Sequence, residues 1–284
     1  ISVHLHPYGD GRKLLLTRDV TALEQADAMR RDFVANVSHE IRTPLTVLTG
    51  FVETLQTLQL DAEERARYLA MMAQQAARMQ SVVHDLLTLS RLEGSPLPGM
   101  SEWTPVQALM QRCEEESRAL SAVLTQNHQR HHVLQFPAAQ DLRAAGDIAG
   151  VPSELQSALS NLISNAVRYT PAGGTITVQW RYTADGNAIF SVSDTGPGIA
   201  PEHIPRITER FYRVDRSRSR ETGGTGLGLA IVKHAVQRHG ATLDITSALG
   251  KGSVFSVTFP ANRLRRPALP DGLQPTASAQ TALP

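Results

Sequence analysis

The segment from about residue 20 to residue 58 constrains the fold most, because its apolar residues recur at three- and four-residue steps. These positions are Val34, Val37, Ile41, Leu45, Leu48, Val52 and Leu55. This spacing is typical of a helix that packs along one seam in a supercoil. In the middle of the segment, residues 36 to 46 read Asn-Val-Ser-His-Glu-Ile-Arg-Thr-Pro-Leu-Thr. The sequence therefore predicts a long helix that carries an unusual polar motif.

His39 lies off this seam. It is two residues from both Val37 and Ile41, and two steps of about 100° place it roughly 200° round the helix, facing water. An isolated exposed histidine is ordinarily a solvated side chain. Here Glu40 follows directly, and Pro44 is expected to loosen the backbone one turn later without any gain in packing. A residue that weakens the helix without improving its packing indicates a functional site.

A second helix is predicted after a break at Leu60. Asp61 can cap it, and Glu63 and Glu64 occupy its first turn, where acidic residues are favoured. Its apolar positions are Tyr68, Met72, Met79, Val82, Leu86 and Leu89, with Gln75 as a polar exception. Two antiparallel helices cannot bury both seams alone, whereas a second copy would complete a four-helix bundle. We therefore expect a homodimer.

The rest of the chain mixes helices and strands. Residues 94–99 have the composition of a linker, and later segments alternate between helical and strand patterns. Helices are predicted at 106–124, from 152 and at 227–239; strands are predicted at 131–136, 175–182, 189–193, from 243 and at 254–259. This order predicts an α/β sandwich with a largely antiparallel sheet.

Three further motifs follow the histidine motif. Asn161 and Asn165 lie four apart on one predicted helix, Asp194 stands before Thr-Gly-Pro-Gly at a strand end, and residues 224–228 read Gly-Thr-Gly-Leu-Gly before a helix. Free amides at a helix N-terminus favour phosphate. Each motif alone is weak, since paired polar residues are usually an exposed stripe and Asp-x-Gly-x-Gly is common in turns.

In this order and spacing, the four motifs resemble the H, N, G1 and G2 boxes of the sensor histidine kinases of two-component systems. The resemblance covers roughly residues 20 to 262. It implies a dimeric antiparallel helical-hairpin bundle, followed by an α/β sandwich ATP-binding domain of the gyrase, Hsp90 and histidine kinase type. The predicted domains are a PAS-like remnant (1–19), a dimerisation and phosphoacceptor domain (20–93), a linker (94–102), a catalytic ATP-binding domain (103–262) and a disordered tail (263–284). Within the family, the runs 29–52 and 204–215 look most like the sensor kinases of the proteobacterial phosphate regulon, which implies phosphate-starvation signalling.

The resemblance also implies roles on the first helix. Nε2 of His39 would attack the γ-phosphate of ATP, and Glu40 would hold and deprotonate the Nδ1–H. Thr43 matches the position whose hydroxyl orients water when the phosphorylated response regulator is hydrolysed. It lies one turn from His39 and would share the exposed face. The implied partners are ATP, a second copy of the chain and a response regulator receiver domain.

The nucleotide site is implied in the same way. Asn165 would bind Mg²⁺, which with ATP is the expected cofactor; Asn161 would lie near the phosphates, Arg168 would face phosphate, and Tyr169 would pack near adenine. Asp194 would accept a hydrogen bond from the adenine amino group. The remaining candidates are Gly196, Gly198, Ile199, Phe211, Arg213, Gly224, Thr225, Gly226, Leu227, Gly228 and Leu229.

Residues 201–223 contain six arginines and would form a mobile lid over the triphosphate, with Arg213 at the γ-phosphate. The alternative is a solvated or nucleic-acid-binding charge run. The family often has phenylalanine where Thr208 stands, although Phe211 is present.

Composition sets the outer limits. The net charge of +1 gives no global pull toward nucleic acid, and one cysteine excludes an internal disulfide. Cys113 reads as a small core residue of a helix. No window is apolar enough to span a membrane; the chain begins at Ile1 in the middle of a strand, which predicts the cytoplasmic part of a longer membrane protein anchored by upstream segments. Two rival functions remain: a gyrase- or Hsp90-type ATPase, which would carry a glutamate at position 161, and a catalytically inactive dimeric scaffold.

Overall fold

The computed structural model describes residues 1–8, 12–214 and 224–266, and the chain divides into two compact units. The first, Ile1–His84, is called the helical unit; the second begins at Asp85 and is called the α/β unit. The helical unit starts with an antiparallel hairpin of β1 (Ser2–Tyr8) and β2 (Arg12–Arg18). Helix α1 (Thr21–Thr57) follows, and α2 (Ala62–Gly94) begins there as well. The two long helices predicted from apolar spacing are thereby confirmed.

The start of α2 is fixed by a reciprocal cap. The backbone N–H of Glu64 donates to Oδ1 of Asp61 at 2.7 Å, and the backbone N–H of Asp61 donates to Oε2 of Glu64 at 3.2 Å. Two amides that would otherwise lack partners at the helix end are satisfied together. The predicted cap at Asp61 is confirmed, and Glu64 completes it.

The seam of α1 is only partly covered within one chain. Val34, Leu45 and Val52 remain 58%, 51% and 38% exposed. By contrast Pro44, which was expected to bring no packing gain, is buried. That expectation was wrong, because Pro44 is withdrawn from solvent while α1 continues through it.

The α/β unit is built on a five-stranded sheet with strand order β4-β6-β7-β9-β8. Its strands are β4 (Val133–Gln135), β6 (Thr175–Tyr182), β7 (Ala188–Asp194), β8 (Thr242–Ala248) and β9 (Gly252–Phe259). Only β4 pairs in parallel, with β6; the other pairs are antiparallel. The predicted, largely antiparallel α/β architecture is confirmed.

Helices of the same unit supply the second layer of its core. They are α3 (Val106–Thr125), α4 (Ala139–Ala144), α5 (Pro152–Tyr169) and α6 (Gly228–Arg238). Phe190 of the sheet and Ile163 of α5 belong to one cluster of buried residues and are at most 1% exposed. Cys113 of α3 is also in this cluster, and burial raises the pKa of its thiol to about 11. The prediction that Cys113 is a core residue is confirmed.

A second, three-stranded sheet has the order β10-β5-β3 and was not predicted. Its strands are β3 (Trp103–Pro105), β5 (Asp147–Ala149) and β10 (Leu264–Arg265). The predicted disordered tail therefore begins too early, because residues 264 and 265 pair with β5 and Arg263 is 8% exposed. The guanidinium of Arg263 donates to the carbonyls of Pro98, Gly99 and Ala149, which ties the chain end to the predicted linker. Residues 267–284 lie outside the described residues.

Candidate functional site: a phosphoacceptor helix and a nucleotide-binding loop cluster

The histidine motif lies on α1 of the helical unit, where His39 is exposed as predicted. The side chain is therefore open to a ligand from solvent. Thr43 is exposed on the same face, and its hydroxyl donates to the carbonyl oxygen of His39 at 3.1 Å. Such a bond to the preceding turn is common for helical threonine. The bond uses the hydroxyl hydrogen of Thr43 and not its oxygen as acceptor.

Glu40 is held by a residue that the sequence did not single out. Nη2 of Arg78, on α2, donates to Oε2 of Glu40 at 3.2 Å, and the two side chains are 15% and 26% exposed. The pair joins two helices 38 residues apart in sequence. Arg78 lies outside the apolar seam predicted for α2, where a charged residue is ordinarily a surface residue, so no periodicity signal could have found it.

In the α/β unit, the two asparagines of α5 meet the start of α6. A Cβ atom added to Gly228 would lie 2.6 Å from Oδ1 of Asn161 and 3.9 Å from Nδ2 of Asn165. The absence of a side chain at position 228 is thus what lets the helices approach at this point. The amide of Asn161 is oriented by its own helix, since Nδ2 donates to the carbonyl of Ser157 at 2.8 Å. The N-box and G2-box motifs are brought together as predicted.

Asp194 ends β7 as predicted and is 8% exposed. Burial raises the pKa of its carboxyl group, and hydrogen bonds from the backbone of Gly196 and Ser253 oppose that rise. The N–H of Gly196 donates to Oδ1 at 2.8 Å. A Cβ at Gly252 would lie 1.9 Å from the backbone carbonyl oxygen of Asp194, so this glycine, missed as a site residue, is required for the start of β9 to approach the backbone at Asp194.

The loop after Asp194 is held by contacts with β8 and the turn that follows it. The N–H of Ile199 donates to Oγ of Ser247 at 2.8 Å, and the N–H of Gly250 donates to the carbonyl of Pro197 at 2.8 Å. Gly198 has a φ of 71°, and a Cβ there would lie 2.0 Å from the carbonyl oxygen of Ala248. Serine in a strand carries no sequence signal for such a role, which is why Ser247 was missed.

The glycine loop before α6 is also ordered by specific contacts. The hydroxyl of Thr225 accepts from the N–H of Leu227 at 3.1 Å and donates to Oδ2 of Asp85, in the last turns of α2, at 2.6 Å. Leu227 is fully buried and Leu229 is half-buried against the core. Thr225 is therefore held by a carboxylate that the sequence did not connect with this loop.

Two residues of the predicted lid touch this loop. The N–H of Phe211 donates to the carbonyl of Gly226 at 2.8 Å, and Arg213 donates to the carbonyl of Gly224. Phe211 has a φ of 61°, a strained conformation for a bulky residue. Such strain is concentrated at ligand-binding sites. The lid residues 215–223, with Arg216, Arg218 and Arg220, lie outside the described residues.

Arg168 and Tyr169 end α5 on the side of Asp194. Tyr169 is 43% exposed, and its carbonyl oxygen would lie 2.9 Å from a Cβ at Gly196. Burial lowers the pKa of Arg168, while the charges of Tyr169 and Asp85 raise it. The Arg168 guanidinium is therefore positioned in the same neighbourhood as the Thr225 loop.

The donor set fits a magnesium ion only together with a nucleotide. Within residues 1–8, 12–214 and 224–266, no three His, Cys, Asp or Glu side chains cluster to hold a metal. Asn165 is half-buried beside the start of α6, and an amide oxygen is a suitable ligand for Mg²⁺. The phosphates of the nucleotide would have to supply the other charged ligands.

Comparison with known families agrees with this arrangement. Residues 29–95 match the "His Kinase A (phospho-acceptor) domain", and residues 150–263 match "Histidine kinase-, DNA gyrase B-, and HSP90-like ATPase". The chain belongs to the sensor histidine kinase family.

Two relatives carry the same description, "Phosphate regulon sensor protein PhoR". The protein of Pseudomonas aeruginosa is 48% identical over 260 residues, covering 91% of this chain and 56% of the relative. The protein of Haemophilus influenzae is 36% identical over 260 residues, covering 92% of this chain and 58% of the relative. The chain thus spans somewhat more than half the length of these relatives.

Solved structures support the same fold. Full-length ShkA in complex with AMPPNP is 29% identical, with a TM-score of 0.56 over 84% of this chain and 47% of that protein. The Acinetobacter baumannii histidine kinase AdeS is 22% identical, with a TM-score of 0.56 over 79% of this chain and 98% of that protein, and supports the fold alone. Among the helices of the described part of the chain, none has the length and apolarity to cross a bilayer.

Proposed function

We propose that this protein is an ATP-dependent protein-histidine kinase that phosphorylates itself on His39 and passes the phosphoryl group to an aspartate of a response regulator. The observation that carries the proposal is the convergence of the N, G1 and G2 motifs in one unit, while the histidine motif stands exposed in the other. Family membership and the AMPPNP complex of ShkA support nucleotide binding.

In the proposed reaction, the lone pair on Nε2 of His39 forms a bond to the γ-phosphorus of ATP. The bond between that phosphorus and the β,γ-bridging oxygen breaks, and ADP leaves with the electron pair. Glu40 accepts the proton from Nδ1 as the ring develops positive charge. Imidazole suits this role because it can be neutral near physiological pH without special activation.

The nucleotide would bind with its adenine amino group donating to Asp194. The glycine loop and the start of α6 offer backbone amides to the phosphates, and helix N-termini favour such anions. Asn165 would hold Mg²⁺, which screens the phosphate charge. Arg168 and Arg213 would face the phosphates, and residues 201–223 would close over them.

The helical unit is proposed to act as a homodimer. The exposed seam residues of α1 are the support for this proposal, since a second copy would cover them. By similarity to the PhoR proteins, we propose a role in phosphate-starvation signalling, with attachment to the inner membrane through upstream segments.

The two rival functions are less well supported. A gyrase- or Hsp90-type ATPase would use a glutamate as the base at position 161, whereas this chain has Asn161 with its Nδ2 bonded to its own helix. An inactive scaffold would not require His39, Glu40, Asn165, Asp194 and the glycine loops to be present together. An ATP-binding measurement separates the kinase from the scaffold.

The principal test is labelling with radioactive ATP, followed by treatment with acid and with alkali, since phosphohistidine is acid-labile. The His39→Gln variant should lose all labelling while it still binds ATP. His84→Gln is the matched control, because His84 is also exposed on a helix of the helical unit. Labelling retained by His39→Gln would disprove the assignment.

The nucleotide site is tested by Asn165→Asp and Asp194→Asn. The first places a charge beside the triphosphate, and the second replaces an acceptor with an amide that mismatches the adenine amino group. Each should weaken ATP binding at least tenfold, as expected for about 1.5 kcal/mol per lost polar contact. Asp185→Asn, in the exposed turn between β6 and β7, is the control. Unchanged affinity in both site variants would show that the site is misplaced.

Phosphatase activity is a separate proposal that rests on Thr43. Thr43→Ala removes the hydroxyl but favours the helix. The variant should autophosphorylate and transfer normally while it dephosphorylates the regulator more slowly. Time courses with pre-phosphorylated regulator and ADP measure this, and a rate equal to that of the parent would reduce Thr43 to a helix-surface residue.

A further inference from the structure

The contact between Arg78 and Glu40 is the feature of the helical unit that the proposed chemistry leaves unexplained. Nη2 of Arg78 and Oε2 of Glu40 are 3.2 Å apart, so the arginine reaches across from α2 to the residue next to His39. The Arg78 side chain is 15% exposed, far less than is usual for arginine.

Burial of this arginine is costly for stability alone. Its Nε is buried, and among the described residues it has no hydrogen-bond partner. A buried donor without a partner costs roughly 1–3 kcal/mol. Replacing a buried ion pair by apolar side chains is often neutral or stabilising. Arg78 lies directly beside the seam residue Met79 and is itself mostly buried, so an apolar residue at position 78 would have avoided the cost of burying a charge.

Since the contact brings no gain in stability, its effect is expected on the orientation of the Glu40 carboxylate. A glutamate has three side-chain torsions, and one on a helix surface samples several rotamers. The planar guanidinium fixes a carboxylate more closely than an ammonium can, because its donors have a set direction. A base must keep its oxygen within hydrogen-bond reach of the proton it removes.

We propose that Arg78 is a positioning residue for the autophosphorylation of His39. It holds the Glu40 carboxylate in the orientation from which Glu40 takes the Nδ1 proton, and it acts only through Glu40. The proposal rests on the proposed function, in which Glu40 is the base for His39. Pro44 adds to the need for such a support, since it removes the N–H that would bond the backbone carbonyl of Glu40.

The test compares the rate of His39 labelling in single and double variants of the full chain. Glu40→Gln should lower kcat about 100-fold, the lower end for loss of a general base. Arg78→Gln should lower kcat about tenfold with KM for ATP unchanged, in the manner of a supporting residue that orients a functional group. Arg78→Lys should recover part of the loss, since it keeps the charge. Arg65→Gln, which removes an exposed arginine from the same helix, is the matched control.

The double variant Arg78→Gln with Glu40→Gln decides the mechanism. If Arg78 acts through Glu40, the double variant labels as fast as Glu40→Gln alone. Multiplied losses, or Arg78→Gln labelling at the parental rate, would overturn the proposal. Circular dichroism and light scattering guard against misfolding, and if Arg78→Gln does not fold, Arg78→Met and Arg78→Lys carry the same comparison. Failure of the proposed function would look different, because the parent itself would then carry no label on His39.

Discussion

The helical unit and the α/β unit treat their apolar side chains in opposite ways. In the helical unit, Val34 and Leu45 of the α1 seam are more than half exposed, at 58% and 51%. In the α/β unit, Phe190 and Val257 are completely buried between helices and sheet. An apolar seam that stays exposed within one chain supports the proposed dimer, in which a second copy would cover it, whereas a closed core needs no partner. The difference predicts that mutations will disturb association in one unit and folding in the other.

The largest effect is expected in the core of the α/β unit. Phe190→Ala should lower the free energy of unfolding by about 3–5 kcal/mol, because the cavity it leaves cannot collapse fully. Urea titration followed by tryptophan fluorescence reports this unit alone, since Trp103 and Trp180 both belong to it. Ile189→Ala, at a half-buried neighbouring position, should cost less. Equal costs at both positions would show that the core is not closed.

The seam of α1 should respond through association. Val52→Asp would place a charge in the proposed dimer interface, at a cost of about 3 kcal/mol, which raises the dissociation constant on the order of a hundredfold. Thr46→Asp is the control, because Thr46 is exposed on α1 and lies off the predicted seam. Light scattering over a concentration series measures both. A dimer that tolerates Val52→Asp as well as Thr46→Asp would remove the contrast between the units.

A pH effect is expected from His239, which lies in the α/β unit and is fully buried. Burial lowers its pKa, and its Nε2 accepts from the N–H of Val151 at 3.2 Å, which requires the neutral ring. The unfolded chain therefore binds a proton more readily than the folded one. The stability of the α/β unit should be complete above the ordinary histidine pKa of about 6.5 and should fall as the pH drops below it.

The His239→Gln variant isolates this effect, because it removes the titrating ring. Burial raises the pKa of Asp194, so that group contributes stability in the opposite direction on acidification. The difference in unfolding midpoint between parent and variant, measured at pH 7.5 and pH 5, cancels the Asp194 contribution. If parent and variant lose stability in parallel, His239 is not the source of the acid sensitivity.

The smallest effect concerns the last turns of α2, which belong to the α/β unit although they continue a helix of the other. Asp85 accepts from Thr225 in the proposed phosphate loop, and its charge raises the pKa of Arg168. Asp85→Asn should tighten ATP binding about threefold at low ionic strength, because a negative charge near the phosphates is removed. Asp141→Asn, at an exposed position of α4, is the control. Weaker binding by Asp85→Asn would mean that the carboxylate supports the loop and does not compete with phosphate.

Long periodic elements could be predicted from the sequence, and short irregular ones could not. The seam of α1 and the alternation of β6 extend over enough residues to identify their period. The strands Trp103–Pro105 and Asp147–Ala149 are three residues long, so they show no period, and they pair with each other and with Leu264–Arg265 across distant parts of the sequence.

The same limit applies to the site. Motif residues such as Asn161 and Asp194 could be placed because glycine and asparagine patterns are local. Arg78, Asp85 and Ser247 could not, since each reaches the site from a distant part of the sequence. Pro44 shows a different failure, because whether its ring would be covered depends on tertiary packing that the sequence does not reveal.

Two arginines donate hydrogen bonds to the backbone carbonyls of the predicted linker, which is rich in proline and glycine. Arg238 donates to the carbonyls of Leu92, Ser95 and Pro96 while it also pairs with Glu154 at the start of α5. Arg263 holds the carbonyls of Pro98 and Gly99 in the same way. The predicted linker thus lies between two fixed arginines, and because Arg238 also pairs with Glu154, the end of α2 and the first turn of the asparagine helix are joined through a single side chain.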